Sequence, residues 1–206
     1  MRRVFLPLAA LILAASLEPA AAAMVGDASV PFRAERILTV GTHTYTGLLF
    51  HTPGHQRHEQ DLMGMREVFL LDTATAEGEL VLPALKTYVA FPFPPLMADL
   101  ASPDLLRSPV AQETISGIRT TKYRIDHHAA DGSRARGYLW VSRAGMLMKL
   151  DLAVTRAHGG KPLAIAMELT HVEIGPQDPQ LFAPPEGFAK LPADALAPLL
   201  GAKPAG

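Results

Sequence analysis

Histidine is the residue type with which this chain could do chemistry. His51, His55 and His58 fall within eight positions around the turn Thr52-Pro53-Gly54, and His127-His128 sit at a second turn. Neutral imidazole is the commonest metal ligand, so three at such spacing could converge on zinc or copper. A Pro-Gly turn does not by itself bring all three to one face, and histidines at hairpin tips are often only solvated, so both readings stand. Cysteine is absent, which removes thiol nucleophiles and disulfide staples together. There is no G-x-S-x-G elbow, no phosphate loop, no H-E-x-x-H and no dinucleotide fingerprint. Asp and Glu are scattered over strands and turns without a distinct acid pair. The expectation is a protein that is not an enzyme and needs no cofactor.

Before these residues comes a leader. Met1-Arg2-Arg3 is basic, residues 4–17 are almost wholly apolar, and Glu18-Pro19 precedes Ala20-Ala21-Ala22-Ala23. That order is a secretory signal, with cleavage expected after Ala23, so residues 1–23 are read as a signal peptide. A spanning helix needs ~20 apolar residues, more than this stretch offers. Losing Arg2, Arg3 and Glu18 with the leader moves the net charge from −1 to −2. A chain so nearly neutral gives no electrostatic reason to bind nucleic acid. With no cysteine to acylate, the exported protein is expected to be soluble.

Residues 24–190 read as one domain of strands and turns, and residues 191–206 as an Ala- and Pro-rich tail. Strand-like runs cover residues 33–40, 42–50, 55–62, 65–72, 79–82, 87–91, 110–115, 119–126, 134–142, 146–156 and 163–174. The turns between them hold Gly41, Gly54, Gly64, Gly117, Gly132, Gly145 and Gly159-Gly160, which suit hairpins. Met146, Met148, Leu150, Leu152 and Val154 alternate with polar residues, as do Leu163, Ile165, Met167 and Leu169. The expected fold class is mainly β: a tall, curved antiparallel sheet.

One stretch cannot belong to that sheet. Phe91-Pro92-Phe93-Pro94-Pro95 lacks three ladder donors. Leu96, Met97 and Leu100 then fall at helical spacing, and Ser102-Pro103-Asp104 has the form of a second helix start before Leu105-Leu106. One or two short helices are expected over residues 94–107, serving either as an ordinary connection or as a lid on the concave face.

Several short motifs together resemble a known family. They include Arg57-x-Glu59, Gly64, Asp72 and Leu82-Pro83-x-x-Lys86-x-Tyr88, then Gly117-x-x-Thr120-x-Lys122-Tyr123. Gly137-x-x-Trp140-Val141-Ser142, Gly145-x-x-x-Lys149 and Leu169-x-x-Val172 continue the pattern. It ends with Gly175-x-x-Asp178-Pro179-x-Leu181-Phe182-x-x-Pro185-x-Gly187-Phe188. The chain thus resembles the outer-membrane lipoprotein-sorting superfamily of the periplasmic carrier LolA and its receptor LolB.

The resemblance implies an incomplete antiparallel barrel whose concave side is closed by helices over an apolar cavity for acyl chains. It implies a periplasmic carrier of lipid or acylated lipoprotein that makes transient contact with membrane-bound partners. Under that reading the expected cavity wall is Phe69, Leu71, Tyr88, Phe91, Trp140, Met146, Met148 and Leu150. The expected lid is Phe93, Leu96, Met97, Leu100 and Leu105. The alternatives that remain are a metal site at His51, His55 and His58, and a ligand-free interaction module.

Overall fold

The computed structural model describes residues 27–195, with Met63, Pro103 and His158 excepted. The expected signal peptide and residues 196–206 of the tail lie outside the described residues.

Alternating apolar residues and glycine turns produce the strands that the sequence predicts. They are β1 (Phe32–Val40), β2 (His43–Thr52), β3 (His55–Leu62), β4 (Met65–Asp72), β5 (Glu77–Leu82) and β6 (Thr87–Pro92). After the helix α1 (Pro95–Ala101) follow β7 (Ser108–Ile115), β8 (Ile118–His128), β9 (Arg134–Ser142), β10 (Leu147–Thr155) and β11 (Leu163–Ile174). A short β12 (Ala189–Leu191) closes the series. All lie in one sheet ordered β12-β6-β5-β4-β3-β2-β1-β11-β10-β9-β8-β7. Every neighbouring pair is antiparallel except β12, which runs parallel to β6. β7 and β12 do not pair with each other, so the sheet is an open one with two edges.

At the start of the tail Ala189–Leu191 pairs with Thr87–Val89, and the 3₁₀ turn Ala193–Ala195 follows. Of the one or two helices expected over residues 94–107, one forms, α1. The Ser102 hydroxyl accepts the Asp104 N–H and the Ser102 carbonyl accepts the Leu105 N–H, after which the chain enters β7. The N-cap signal at Ser102 therefore makes one turn only.

Cross-strand partners share a face of the sheet, so the pairings sort the residues. One row runs Phe32, His51, Gln56, Leu71, Gly78 and Phe91 from β1 to β6. The next runs Ala34, Leu49, His58, Phe69, Leu80 and Val89, and a third runs Arg36, Gly47, Gln60 and Glu67. These rows form the inner face, on which α1 lies.

Inside, one buried cluster joins Leu105, Ile125, Ala135, Leu139, Val141 and Leu152, with Leu96 and Leu100 of α1 packed on it. A second joins Ala28, Phe32, Ala34, Leu49, Met146, Met148 and Leu169. Leu139, Met148 and Leu169 are almost completely buried, each contributing ~1.5–3 kcal/mol. On the outer face Val68, Leu70 and Val81 pack with Tyr88 and Phe188. There Glu59 is buried between Arg57 and Arg66 and bonded to both, while Arg57 Nη1 donates to the Leu181 carbonyl at 3.0 Å. Burial alone would push the Glu59 carboxyl up, but the two guanidinium groups outweigh it and hold the pKa below the ordinary value. The segment after β11 is thus fastened to the back of β3–β6.

Candidate functional site

Under α1 the inner face leaves a groove of about 250 Å³. Its apolar lining includes Leu38, Leu49, Leu139, Leu147, Leu152 and Met167, with Met97 and Leu100 from the helix above. These residues come from β1, β2, β9, β10 and β11, and Leu71 of β4 joins them. Between β4 and β9 the sheet order has six intervals, about 29 Å if the sheet were flat. One small groove touches both ends only because the sheet curls. Curvature is what makes the site.

The helix is held down at both ends. Phe93 N–H donates to the Ala76 carbonyl at 2.9 Å, and His127 Nε2 lies 2.9 Å from Asp99 Oδ2. Leu96 and Leu100 pack on the cluster around Leu139, which accounts for their helical spacing.

Of the expected wall, Leu71 and Leu150 line the groove. Phe69 and Phe91 share the inner face and meet edge to face at 6.5 Å, beyond the groove. Phe91 also covers Gly78, where an added Cβ would come within 2.6 Å of its ring. Met146 and Met148 are inward but lie in the solid cluster with Phe32 and Leu169. A bulge between Leu147 and Lys149 shifts the register of β10 against β9 by one residue.

Tyr88 and Trp140 do not line the groove. Tyr88 pairs with Val81 on the outer face and packs on the Val68 cluster. Trp140 pairs with Lys122 and Lys149, donates from Nε1 to Glu113 Oε2 at 2.7 Å, and carries the Lys122 ammonium 4.7 Å from its ring. Both stand in stretches that are apolar at odd and even positions alike, where alternation assigns no face. Of the expected lid, Phe93, Met97 and Leu100 line the groove, while Leu96 and Leu105 are spent on packing beside it.

The histidines divide. His51 and His58 face the groove, but His55 pairs with Asp72 and stacks near Phe182 on the other face. The three do not converge, so the proposed metal triad is not formed; among the described residues no group of three His, Asp or Glu is arranged for a metal.

What the sequence reading missed is a polar network inside this apolar surround. Arg36 is 8% exposed and lines the groove. Its Nη1 donates to His58 Nδ1 at 2.9 Å and its Nη2 to Gln60 Oε1 at 2.7 Å. His58 Nε2 in turn donates to Gln56 Oε1 at 2.8 Å, and Gln60 Nε2 to Glu67 Oε2 at 3.3 Å. Burial, then Arg36, then His51 push the His58 pKa well below 6.5. The ring is therefore neutral, with its proton on Nε2, which is the form that accepts from Arg36. His51 is also pushed down by burial, partly offset by the Ala28 carbonyl that accepts from Nε2 and by the nearby Asp27. Burial lowers the Arg36 pKa from 12.5 to about 10, so the guanidinium remains charged at neutral pH.

That charge should be visible in stability. Holding it under α1 costs about 3 kcal/mol, and its bonds to two neutral partners return about 1 kcal/mol each. Arg36→Met lifts the cost of the charge but leaves the His58 Nδ1 and Gln60 Oε1 acceptors buried without a donor, at about 1–3 kcal/mol each. It is therefore expected to lower stability by about 1 kcal/mol or more in urea unfolding, with an unchanged denaturant slope. A gain would show that the charge, not the network, dominates.

No protein-family model matches the chain, and no curated protein does. Solved structures do. They include an uncharacterized conserved protein from Thermus thermophilus, with 10% identity, 80% of this chain and 91% of that one covered, and a TM-score of 0.51. Another is the Pseudomonas aeruginosa MucA/MucB complex, with 16% identity, 80% and 58% coverage and a TM-score of 0.49. A third is described as an outer membrane lipoprotein-sorting protein domain from Vibrio parahaemolyticus, with 14% identity, 76% and 91% coverage and a TM-score of 0.38. What the first of these shares with the chain is the fold. The chain spans little more than half of the MucB chain it matches. No helix among the described residues is long and apolar enough to cross a membrane.

Proposed function

We propose that this protein is an exported, periplasmic binding or carrier protein that takes an acyl chain of a lipid or lipoprotein into the groove under α1. The observation that carries the reading is the groove itself: a mostly apolar cleft between a curled sheet and one helix. Its volume, about 250 Å³, is below the ~300–1,000 Å³ of drug-sized pockets. That room suits part of one chain, unless α1 moves outward. Each buried methylene contributes ~0.8 kcal/mol, so about ten give micromolar binding before the cost of association. No catalytic step is part of this reading. Cargo exchange would bring the protein into passing contact with membrane-bound partners.

Filling the groove tests the proposal. Leu150 is the position to change, because it lines the groove while Met148 is embedded in the solid cluster. Leu150→Trp is expected to weaken an alkyl-chain probe by about tenfold or more, the loss of two methylenes' worth of room. Unchanged affinity in a folded variant would reject the site. Mass spectrometry of organic extracts from gently purified protein, beside an unrelated exported control, would identify the cargo class.

A further inference from the structure

Among the described residues the cation inside this groove has no counter-charge in direct contact. Arg36 makes no ion pair among the described residues; its partners are the neutral His58 and Gln60, and its Nε–H is buried without an acceptor. Glu67 is reached only through Gln60. Its own inward row continues through Gly47, which has no side chain to block the guanidinium's path across β2. Around it the surfaces are Leu38, Leu49, Leu139, Leu150 and Met167. A buried ion without a partner is destabilising, and such groups persist where a ligand completes them. An anion that entered along the groove and displaced what covers Nε would supply the missing charge and offer Nε–H an acceptor. Arginine suits this task, because its planar fork holds a carboxylate through two parallel bonds.

We propose that Arg36 is an anion-binding residue, and that the groove's ligand is a single alkyl chain ending in a carboxylate, its tail against the apolar walls and its head on Arg36. This rests on the groove reading above and narrows it. One guanidinium and room for part of one chain match a free fatty acid better than a triacylated lipoprotein, whose acyl chains end in uncharged esters and amides. Titratable and polar groups on this side of the groove include His51 with Asp27 beside it, His58, Gln56, Gln60, Thr73 and Glu67; of these His51 and His58 are held toward neutrality by burial, so Arg36 is the positive charge an anion would find.

The test compares three probes at pH 7.5 by titration calorimetry: dodecanoate, its methyl ester and acetate. The expected result is dodecanoate binding about tenfold or more tighter than the ester, with acetate far weaker than either. Arg36→Met and Arg36→Gln should each abolish the preference for dodecanoate over its methyl ester. Urea unfolding of both variants, run alongside, establishes that they are folded. Equal binding of dodecanoate and ester to the unaltered protein would overturn the carboxylate site and leave the groove standing. A preference that survives in both folded variants would overturn the role of Arg36. If neither chain-bearing probe binds, the groove reading falls and this proposal falls with it.

Discussion

Replacing Gly47 by alanine is expected to cost the protein about 4 kcal/mol or more, enough to leave much of it unfolded. A Cβ at that position would lie 1.8 Å from the Glu59 carbonyl oxygen and 2.9 Å from its carbon. Both are backbone atoms of the neighbouring strand, so no side-chain rotation relieves the clash. β2 and β3 would have to part where they hold His51, Gln56 and His58 to the groove. Gly54 supplies the control. It has φ of +86°, with nothing within 4 Å of an added Cβ, so Gly54→Ala meets only the left-handed backbone penalty of about 1–2 kcal/mol. Urea unfolding of the two variants separates the causes. If Gly47→Ala costs no more than Gly54→Ala, the close approach of β2 to β3 is not as described.

The frame of the molecule was legible because its strands are punctuated. Residues 55–62, 65–72, 134–142 and 163–174 are strands at the predicted bounds, each flanked by a turn that needs glycine or by a short polar loop. β12 was not legible: three residues carry too little pattern, and their pairing with Thr87–Val89 depends on where the chain returns. At the site, alternation worked where one face is apolar and the other is not, as for Leu71 and Leu150. It failed at Tyr88 and Trp140, whose neighbours are apolar on both faces. The bulge after Leu147 is invisible in composition, and Leu147 joins Leu150 and Leu152 in the groove lining despite its opposite parity.

The polar network did leave a signal. In β1 the inward positions are Phe32, Ala34, Arg36 and Leu38, so arginine interrupts an apolar face. In β3 the run His55-Gln56-Arg57-His58-Glu59-Gln60-Asp61 has no apolar residue on either face. A strand with neighbours on both sides cannot place such residues all in solvent. Some must point inward and bond one another, as Gln56, His58 and Gln60 do. Reading polarity against position in the sheet, rather than searching for metal-ligand spacing, would have found the network before the structure did.

That network should make the protein acid-sensitive. His51 and His58 both have native pKa values pushed below 6.5, His58 strongly. Above pH 6.5 both rings are neutral folded or unfolded, and stability should not change with pH on their account. Below pH 6.5 the unfolded chain binds protons that the native state refuses, so stability falls. The limiting slope is about 1.4 kcal/mol per pH unit for each histidine that stays neutral in the native state. It levels off only when the native rings protonate. Glu79, raised by burial, acts in the opposite sense near the bottom of this window. Glu59, Asp72 and Asp126, held below their ordinary values, add their losses at lower pH.

Urea unfolding at pH 7.5, 6.5 and 5.5 reads the slope directly. His58→Gln keeps an acceptor for Arg36 and a donor for Gln56 but cannot protonate, so it should remove about half of the slope or more. An unaltered slope in that variant would place the acid sensitivity elsewhere. A bound carboxylate would change the balance again: its charge beside Arg36 offsets the repulsion that helps to keep His58 neutral. With saturating dodecanoate the native His58 pKa should rise toward 6.5, and the loss of stability between pH 6.5 and 5 should shrink. The same linkage requires dodecanoate to bind more tightly as pH falls through that window, so long as the carboxylate itself stays ionised.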